Sequence, residues 1–300
     1  MFFAVSDIRA DAGTTSAAFL KIGASARNIA LANTGAVNRD VNSIYYNPSG
    51  LMNLEQGEFS LMQVQWFQKI YFQHAAIACP GKNQTFAASI DYLSVGEMLR
   101  YDLNNNLSGT FNPYDSAGTL GYAFLASEKI FGGFAFKFIN STIDDVSANS
   151  YAADIGVTYK YQKNITFGAV VQNMGSGLKY VKEEAKLPLA FKAGGEYYWE
   201  YRKNVQPTFY VEVAQFTELD PYISLACETK FIIKEDLGYF LRAGYRTRDK
   251  YENLVGLAAG GGFFINGLSI DFAWAPYGEL GDTYALSINY KFNKFSNLQI

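Results

Sequence analysis

GLSIDFAWAPYGELGDTYALSINYKF occupies residues 267–292. In its first half Leu268, Ile270, Phe272 and Trp274 alternate with Ser269, Asp271 and Ala273. In its second half Tyr284, Leu286, Ile288, Tyr290 and Phe292 alternate with Thr283, Ser287, Asn289 and Lys291. A period of two is the signature of a β-strand with one apolar and one polar face, because successive side chains point to opposite sides. Pro276, Gly278 and Gly281 break the pattern once, as a turn does. The alternation alone fits two architectures. In a β-sandwich the apolar face turns inward, and in a membrane barrel it turns outward to lipid.

Working outward from this hairpin, fourteen alternating segments can be marked, near 57–66, 69–79, 84–95, 117–126, 130–141, 149–161, 164–173, 187–198, 205–215, 220–230, 237–246, 252–265, 267–275 and 281–292. Gly, Asn, Asp, Pro or Lys clusters separate them. An even count of strands about ten residues long is what a closed bacterial barrel requires. Aromatic residues make up 16% of the chain, with Tyr at strand ends (Tyr245, Tyr277, Tyr290), as expected for rings placed at a membrane–water boundary. No apolar run approaches the roughly 18 residues of a spanning helix. The longest candidate, 254–265, is interrupted by Gly256, Gly260, Gly261 and Gly262. These features favour a transmembrane antiparallel β-barrel of about fourteen strands, closed so that no backbone edge faces lipid.

The first fifty residues differ. Phe19, Leu20, Ile22, Ile29 and Leu31 do not alternate, and Ala, Ser and Gly fill the gaps, which predicts a short helix within Ala17–Ala30. Asn33-Thr34-Gly35 supplies a stop. A second helical piece is expected from Asp40 to Tyr46, closed by the turn Asn47-Pro48-Ser49-Gly50. The domain plan is therefore a leader remnant or tail at 1–12, a plug at 13–52, a barrel at 53–292 and a tail at 293–300. Residues 1–12, with an apolar start and Ala10 and Ala12 but no basic n-region, read as the tail of a secretory signal whose start is truncated or lies upstream.

The pattern Ile22-Gly23-Ala24, Arg27, Leu31, Gly35-Ala36, Asp40 and Asn47-Pro48-Ser49-Gly50-Leu51 resembles the N-terminal region of the PorV/PorQ family of bacterial outer-membrane proteins, whose architecture is FadL-like. Later stretches are similar as well: 151–156 (YAADIG), 168–175 (GAVVQNMG), 241–245 (LRAGY) and 256–262 (GLAAGGG). The chain departs from the family pattern with Leu31-Ala32 for Met-Gly, Arg39 beside Asp40 for two Asp, and Ser49 for Ala. The resemblance implies that Gly23, Arg27, Asp40, Asn47, Pro48 and Gly50 form the plug motif. It implies an accessory barrel in protein export and surface assembly of the type IX kind, in the outer membrane of a Gram-negative-type bacterium. Its partners would be outer-membrane lipid and a larger secretion complex or its cargo. The wider resemblance implies an alternative, a FadL-like channel for fatty acids or other hydrophobic solutes, with a hydrophobic ligand in a pocket lined by Phe19, Ile22 and Tyr45.

Two long connections, at 96–116 and 175–186, belong on the outer side, where barrels carry their long loops. Leu99, Tyr101 and Phe111 make the first a candidate partner loop. Enzymatic signals are missing. There is no Gly-x-Ser-x-Gly elbow, phosphate loop or Cys-x-x-Cys, and His74 is the single histidine, without metal-site companions. Neither catalytic nor metal residues nor a cofactor are therefore expected, and a net charge of -3 gives no reason to invoke nucleic acid. Cys79 and Cys227 fall in separate strands, which makes free thiols the expectation over a disulfide. Charges on polar faces, among them Asp154, Lys160, Arg242, Asp271 and Lys291, are expected to pair with one another or with Arg27 and Asp40, because unpaired burial would be costly.

Overall fold

The computed structural model describes residues 14–66, 70–247 and 256–292. The leader expected at 1–12 and the tail at 293–300 lie outside the described residues. Fourteen strands form a closed antiparallel barrel: β1 Gly57–Gln65, β2 Tyr71–Pro80, β3 Gln84–Ser94, β4 Tyr114–Ser127, β5 Ile130–Ile143, β6 Val146–Gln162, β7 Ile165–Gly175, β8 Ala190–Tyr198, β9 Val205–Phe216, β10 Tyr222–Lys234, β11 Leu237–Arg246, β12 Leu257–Ile265, β13 Leu268–Pro276 and β14 Asp282–Phe292. Each strand pairs with its chain neighbours. β14 closes on β1, with Phe292 opposite Gly57 and Tyr284 opposite Gln65. Closure removes the unpaired backbone edge that lipid would not tolerate.

The period-two pattern places its two faces unambiguously. Leu120 is 69% exposed and Leu241 56%, while the intervening Thr119 and Arg242 are buried. An apolar face turned outward all round the barrel rules out the sandwich and makes the outer surface a bilayer-facing belt. Tyrosine and tryptophan rings border the belt at both ends. Tyr92 stacks on Tyr114 at 5.7 Å near one rim, and Trp199 packs on Tyr201 at 5.2 Å near the other.

The two rims differ. At one rim the connections are short, four of them two residues long, including Asn266-Gly267, where both residues have positive φ (48° and 82°) as a tight hairpin turn demands. At the opposite rim lie the long connections 95–113 and 176–189. By that asymmetry the short-turn rim faces the periplasm.

The lumen is filled by the N-terminal segment. It comprises a 3-10 turn Ala18–Lys21, helix α1 Ala26–Ala30, helix α2 Ser43–Tyr46 and a 3-10 turn Pro48–Asn53. The single helix expected within Ala17–Ala30 is split, because Ile22 and Ser25 are extended. Helices this short persist only through tertiary packing. The stop also differs from expectation. The left-handed residues are Ala32 and Asn33 (φ 53° and 60°), not Gly35, whose missing side chain instead admits the Tyr46 ring. α2 begins at Ser43, three residues after the expected cap, and Asp40 accepts the Asn42 amide at 2.9 Å ahead of it.

The wall is glycine-lined where this segment touches it most closely. A methyl group at Gly133 would strike the Pro48–Ser49 backbone, and one at Gly244 would lie 2.6 Å from the Ala32 nitrogen. The segment runs the length of the lumen. Ser16 donates to the Lys186 carbonyl at the long-loop rim, while Leu51 and Leu54 pack against Ala78, Ala87 and Ala123 toward the other rim.

Candidate functional site

From Arg27 to Val41 the plug is gripped at several points by inward-facing carboxylates of the wall. Glu58 of β1 accepts the Val41 amide at 3.0 Å, and Glu212 of β9 accepts the Gly35 and Ala36 amides, both at 2.7 Å. Glu196 of β8 pairs with Arg39. Glu228 of β10 takes both ends of the Arg27 guanidinium, at 2.9 and 3.0 Å, the fork geometry suited to a planar cation. From Glu228 the pairs continue along the wall to Arg242 at 2.6 Å and on to Asp271, also at 2.6 Å. Arg27 further donates to Asn38 at 2.8 Å and Tyr210 at 3.0 Å, and lies 3.6 Å from Asp40. The charges singled out in the sequence thus find partners: Arg27, Asp40, Arg242 and Asp271 here, Lys291 with Glu58 at 3.2 Å and Asp154 with Lys137 at 2.8 Å. Lys160 stands over the Phe131 ring at 4.6 Å.

The remaining motif residues set backbone geometry. Gly23 makes room for Ile29 and Asn33, and Gly50 for the Asn38 carbonyl and Ser43. Asn47 caps the Pro48–Asn53 turn by accepting the Ser49 amide at 3.2 Å, and it donates to the Ala36 carbonyl at 2.6 Å, tying the two halves of the plug together. Pro48 occupies the first helical position, where no backbone N–H is needed.

Phe19, Ile22 and Tyr45 come together in one buried cluster. The Tyr45 hydroxyl reaches the carbonyls of Leu20 and Ile22 at 2.8 and 2.6 Å, so these residues are close-packed with one another. His74 sits edge-on to Tyr45 at 5.9 Å and is bonded to Asp91 at 2.6 Å. Lys137 stands over the Tyr45 ring at 5.8 Å.

At the long-loop rim the plug is clamped. Glu218, in the connection 217–221, accepts from the Thr15 amide and hydroxyl and from Lys21. Burial pushes its carboxyl up, but the bonds from Lys21 and Thr15 outweigh this and hold it below the ordinary value. The connection 176–189 folds inward, with Leu178 and Leu187 joining the cluster of Phe19 and Leu20. The connection 95–113 does the opposite. Its strands Met98–Tyr101 and Leu107–Phe111 form a hairpin tethered by Arg100 to Asp144 and Asp145, and Leu99 (56% exposed), Tyr101, Leu103 and Leu107 stand outside. Phe111 is half-buried.

Comparison with solved structures places this architecture. The chain aligns with the toluene transporter TodX of Pseudomonas putida at a TM-score of 0.61 and 10% identity, covering 89% of this chain and 96% of that one. The toluene transporter TbuX of Ralstonia pickettii gives 0.58 and 12%, covering 90% and 99%, and a FadL homologue of Pseudomonas aeruginosa gives 0.54 and 11%, covering 90% and 98%. The fold is FadL-like. No family model matches the sequence, and no curated protein does.

Within this FadL-like fold, the residues missed at the sequence level are the wall glutamates 58, 196, 212 and 228 and Glu218 of the connection 217–221. Four of them carried a signal, since each stands on the polar parity of its strand, but nothing local says that a given polar position faces the plug. Cys79 and Cys227 are both free. Among the described residues no group of three or more His, Cys, Asp or Glu is arranged to hold a metal.

Proposed function

We propose that the protein is a non-enzymatic outer-membrane conduit for small apolar solutes in a Gram-negative-type bacterium, with the segment 13–52 as its gate. The observation that carries this is a lumen occupied by a segment that wall carboxylates hold through ion pairs and hydrogen bonds, inside a barrel of the fold shared with TodX and TbuX. Solved relatives of that fold are named as toluene transporters, which favours hydrophobic cargo. The test is uptake. Cells lacking other barrels of this fold and expressing the protein should take up labelled toluene or long-chain fatty acid faster than empty-vector cells, with no gain for a hydrophilic sugar of similar size. Equal uptake in both strains refutes the conduit.

A second reading rests on the hairpin 98–111. Apolar side chains held outside the barrel on a tethered hairpin suit a protein partner, and this is what the PorV/PorQ resemblance implies: an accessory barrel that receives exported cargo or docks on its translocon. Affinity purification from native membranes distinguishes the two, since only the second reading predicts secretion components or cargo that are lost when the hairpin is removed.

A further inference from the structure

Against β6, strand β7 carries one residue too many. Ala153 faces Met174 and Ile155 faces Val171, so Asp154 stands opposite two residues, Gln172 and Asn173. This is a β-bulge. The other register shifts of the barrel ladder, after Leu125, Lys160 and Ile232, each abut a two-residue turn, whereas this one lies in the middle of β6. Asn173 has a left-handed backbone, φ 61°, which asparagine tolerates better than most residues. The extra residue suspends the alternation of faces, and Gln172 and Asn173, adjacent in the chain, are both buried.

The two side chains hold different parts of the closure. Gln172 donates through Nε2 to the Tyr45 carbonyl of α2 at 2.6 Å. Asn173 donates through Nδ2 to the Pro188 carbonyl at 3.0 Å, in the inward-folded connection 176–189. In a regular strand one of two adjacent side chains would face lipid, so a single site could not hold both. A buried ion pair fixes the bulge. Asp154 accepts the Asn173 amide at 2.8 Å, while Lys137 of β5 pairs with Asp154 at 2.8 Å and donates to the Asn173 side-chain oxygen at 2.8 Å. The same Lys137 lies against the Tyr45 ring. We propose that this bulge couples the lid 176–189 to the plug, so that releasing either one loosens the grip on the other. Detaching Pro188 from Asn173 frees the backbone that aims Gln172 at Tyr45. Withdrawing Tyr45 removes the ring against which Lys137, the anchor of the bulge, is packed. Such a coupling is reciprocal by thermodynamic necessity. It is independent of what passes through the barrel, and its test reads no transport.

Hydrogen exchange of the detergent-solubilised protein, read by mass spectrometry on peptides spanning 41–50 and 176–189, tests this. Tyr180→Phe loosens the lid away from the bulge, by removing the bond from the Tyr180 hydroxyl to Ser141 Oγ at 2.6 Å. It should speed exchange in 41–50 by about fivefold or more, the lower end of typical coupling between sites. That effect should vanish in an Asn173→Gly background, which keeps the left-handed backbone and lacks the side chain. Gln172→Met, which severs a plug contact alone, should in turn speed exchange in 176–189. The lid also meets the start of the plug directly, through Ser16 and the cluster of Phe19. A Tyr180→Phe effect on 41–50 that is equal with and without the Asn173 side chain assigns the coupling to those contacts and overturns the proposal. So do changes confined to 176–189 in Tyr180→Phe and to 41–50 in Gln172→Met. Should Asn173→Gly lose the heat-modifiable gel mobility of a folded barrel, Asn173→Asp takes its place, since it keeps the side-chain shape and loses the donor to Pro188.

Discussion

At the scale of single residues, the plug is specified by absences and by carboxylates. Gly244→Val places branched carbon where the Ala32 nitrogen and Leu31 carbonyl carbon already lie at 2.6 Å, in a β-strand that cannot yield without breaking its ladder. Overpacking of this kind costs about 1–3 kcal/mol. The expected result is a lower melting temperature in detergent and an increased conductance in planar bilayers as the plug shifts. Unchanged values on both counts refute the close approach. Glu218 makes a prediction about pH. Its carboxyl is held below the ordinary value in the fold, so its contribution is complete above the unfolded value of about 4.3 and is lost as pH falls through the depressed folded value. Between pH 7 and pH 3 the wild type should therefore lose more thermal stability than Glu218→Gln, which lacks the titration; parallel losses would show that the clamp contributes nothing. How far these residues were legible follows from the chemistry. Arg27 and Asp40 stood out because the family resemblance places them in the plug motif, and buried charges then need partners. Glu212 did not, because its partners are the backbone amides of Gly35 and Ala36, and backbone groups leave no mark in a sequence.

At the scale of elements, strands were legible to within a few residues, while the plug helices were legible as stretches but not in their extents. A strand in a barrel wall separates lipid from lumen, so each residue declares its side, and the fourteen alternating segments coincide with β1 to β14 apart from their ends. Among the described residues the ends shifted by up to four residues. β10 runs four residues past its expected end, to Lys234, and β6 begins at Val146, three residues before its expected start. The plug has no such alternation, because it is surrounded by wall on all sides and its helices run for five and four residues. The two long connections read alike in sequence, as turn residues mixed with apolar ones. In the structure one is a lid and the other a projecting hairpin, since Leu178 and Leu187 find the lumen cluster while Leu99 and Leu107 find nothing to cover them. Replacing 97–112 with a short Gly-Ser linker should therefore leave barrel melting within a few degrees of wild type, because surface elements away from buried contacts contribute little, about 0.5 kcal/mol. A collapse of the fold on this deletion would mean that the hairpin belongs to the barrel's core and not to a partner surface.

At the scale of the molecule, the plug imposes a threading. The chain at Ser16 is bonded to the connection 176–189 at the long-loop rim, then descends the lumen and emerges as β1 at the opposite rim. With short turns in the periplasm, Thr14 lies at the cell surface although β1 starts on the periplasmic side. A barrel whose N-terminal segment merely capped the periplasmic opening would place Thr14 below the membrane, so the two arrangements differ by the full height of the wall. In a background with Cys79 and Cys227 changed to Ala, Thr14→Cys should react in intact cells with a maleimide too large to cross the outer membrane. Lys82→Cys, in the turn 81–83, should react only after that membrane is opened. Labelling of Lys82→Cys alone in intact cells would invert the barrel. Protection of both until the membrane is opened would place the start of the plug on the periplasmic side and undo the clamp formed by Glu218, Thr15 and Lys21. Surface labelling of Thr14→Cys should also slow when Glu218 is intact and quicken in Glu218→Gln. A clamp that opens frees the segment above it first, while the Arg27–Glu228–Arg242 ladder deeper in the lumen still holds the rest of the plug in place.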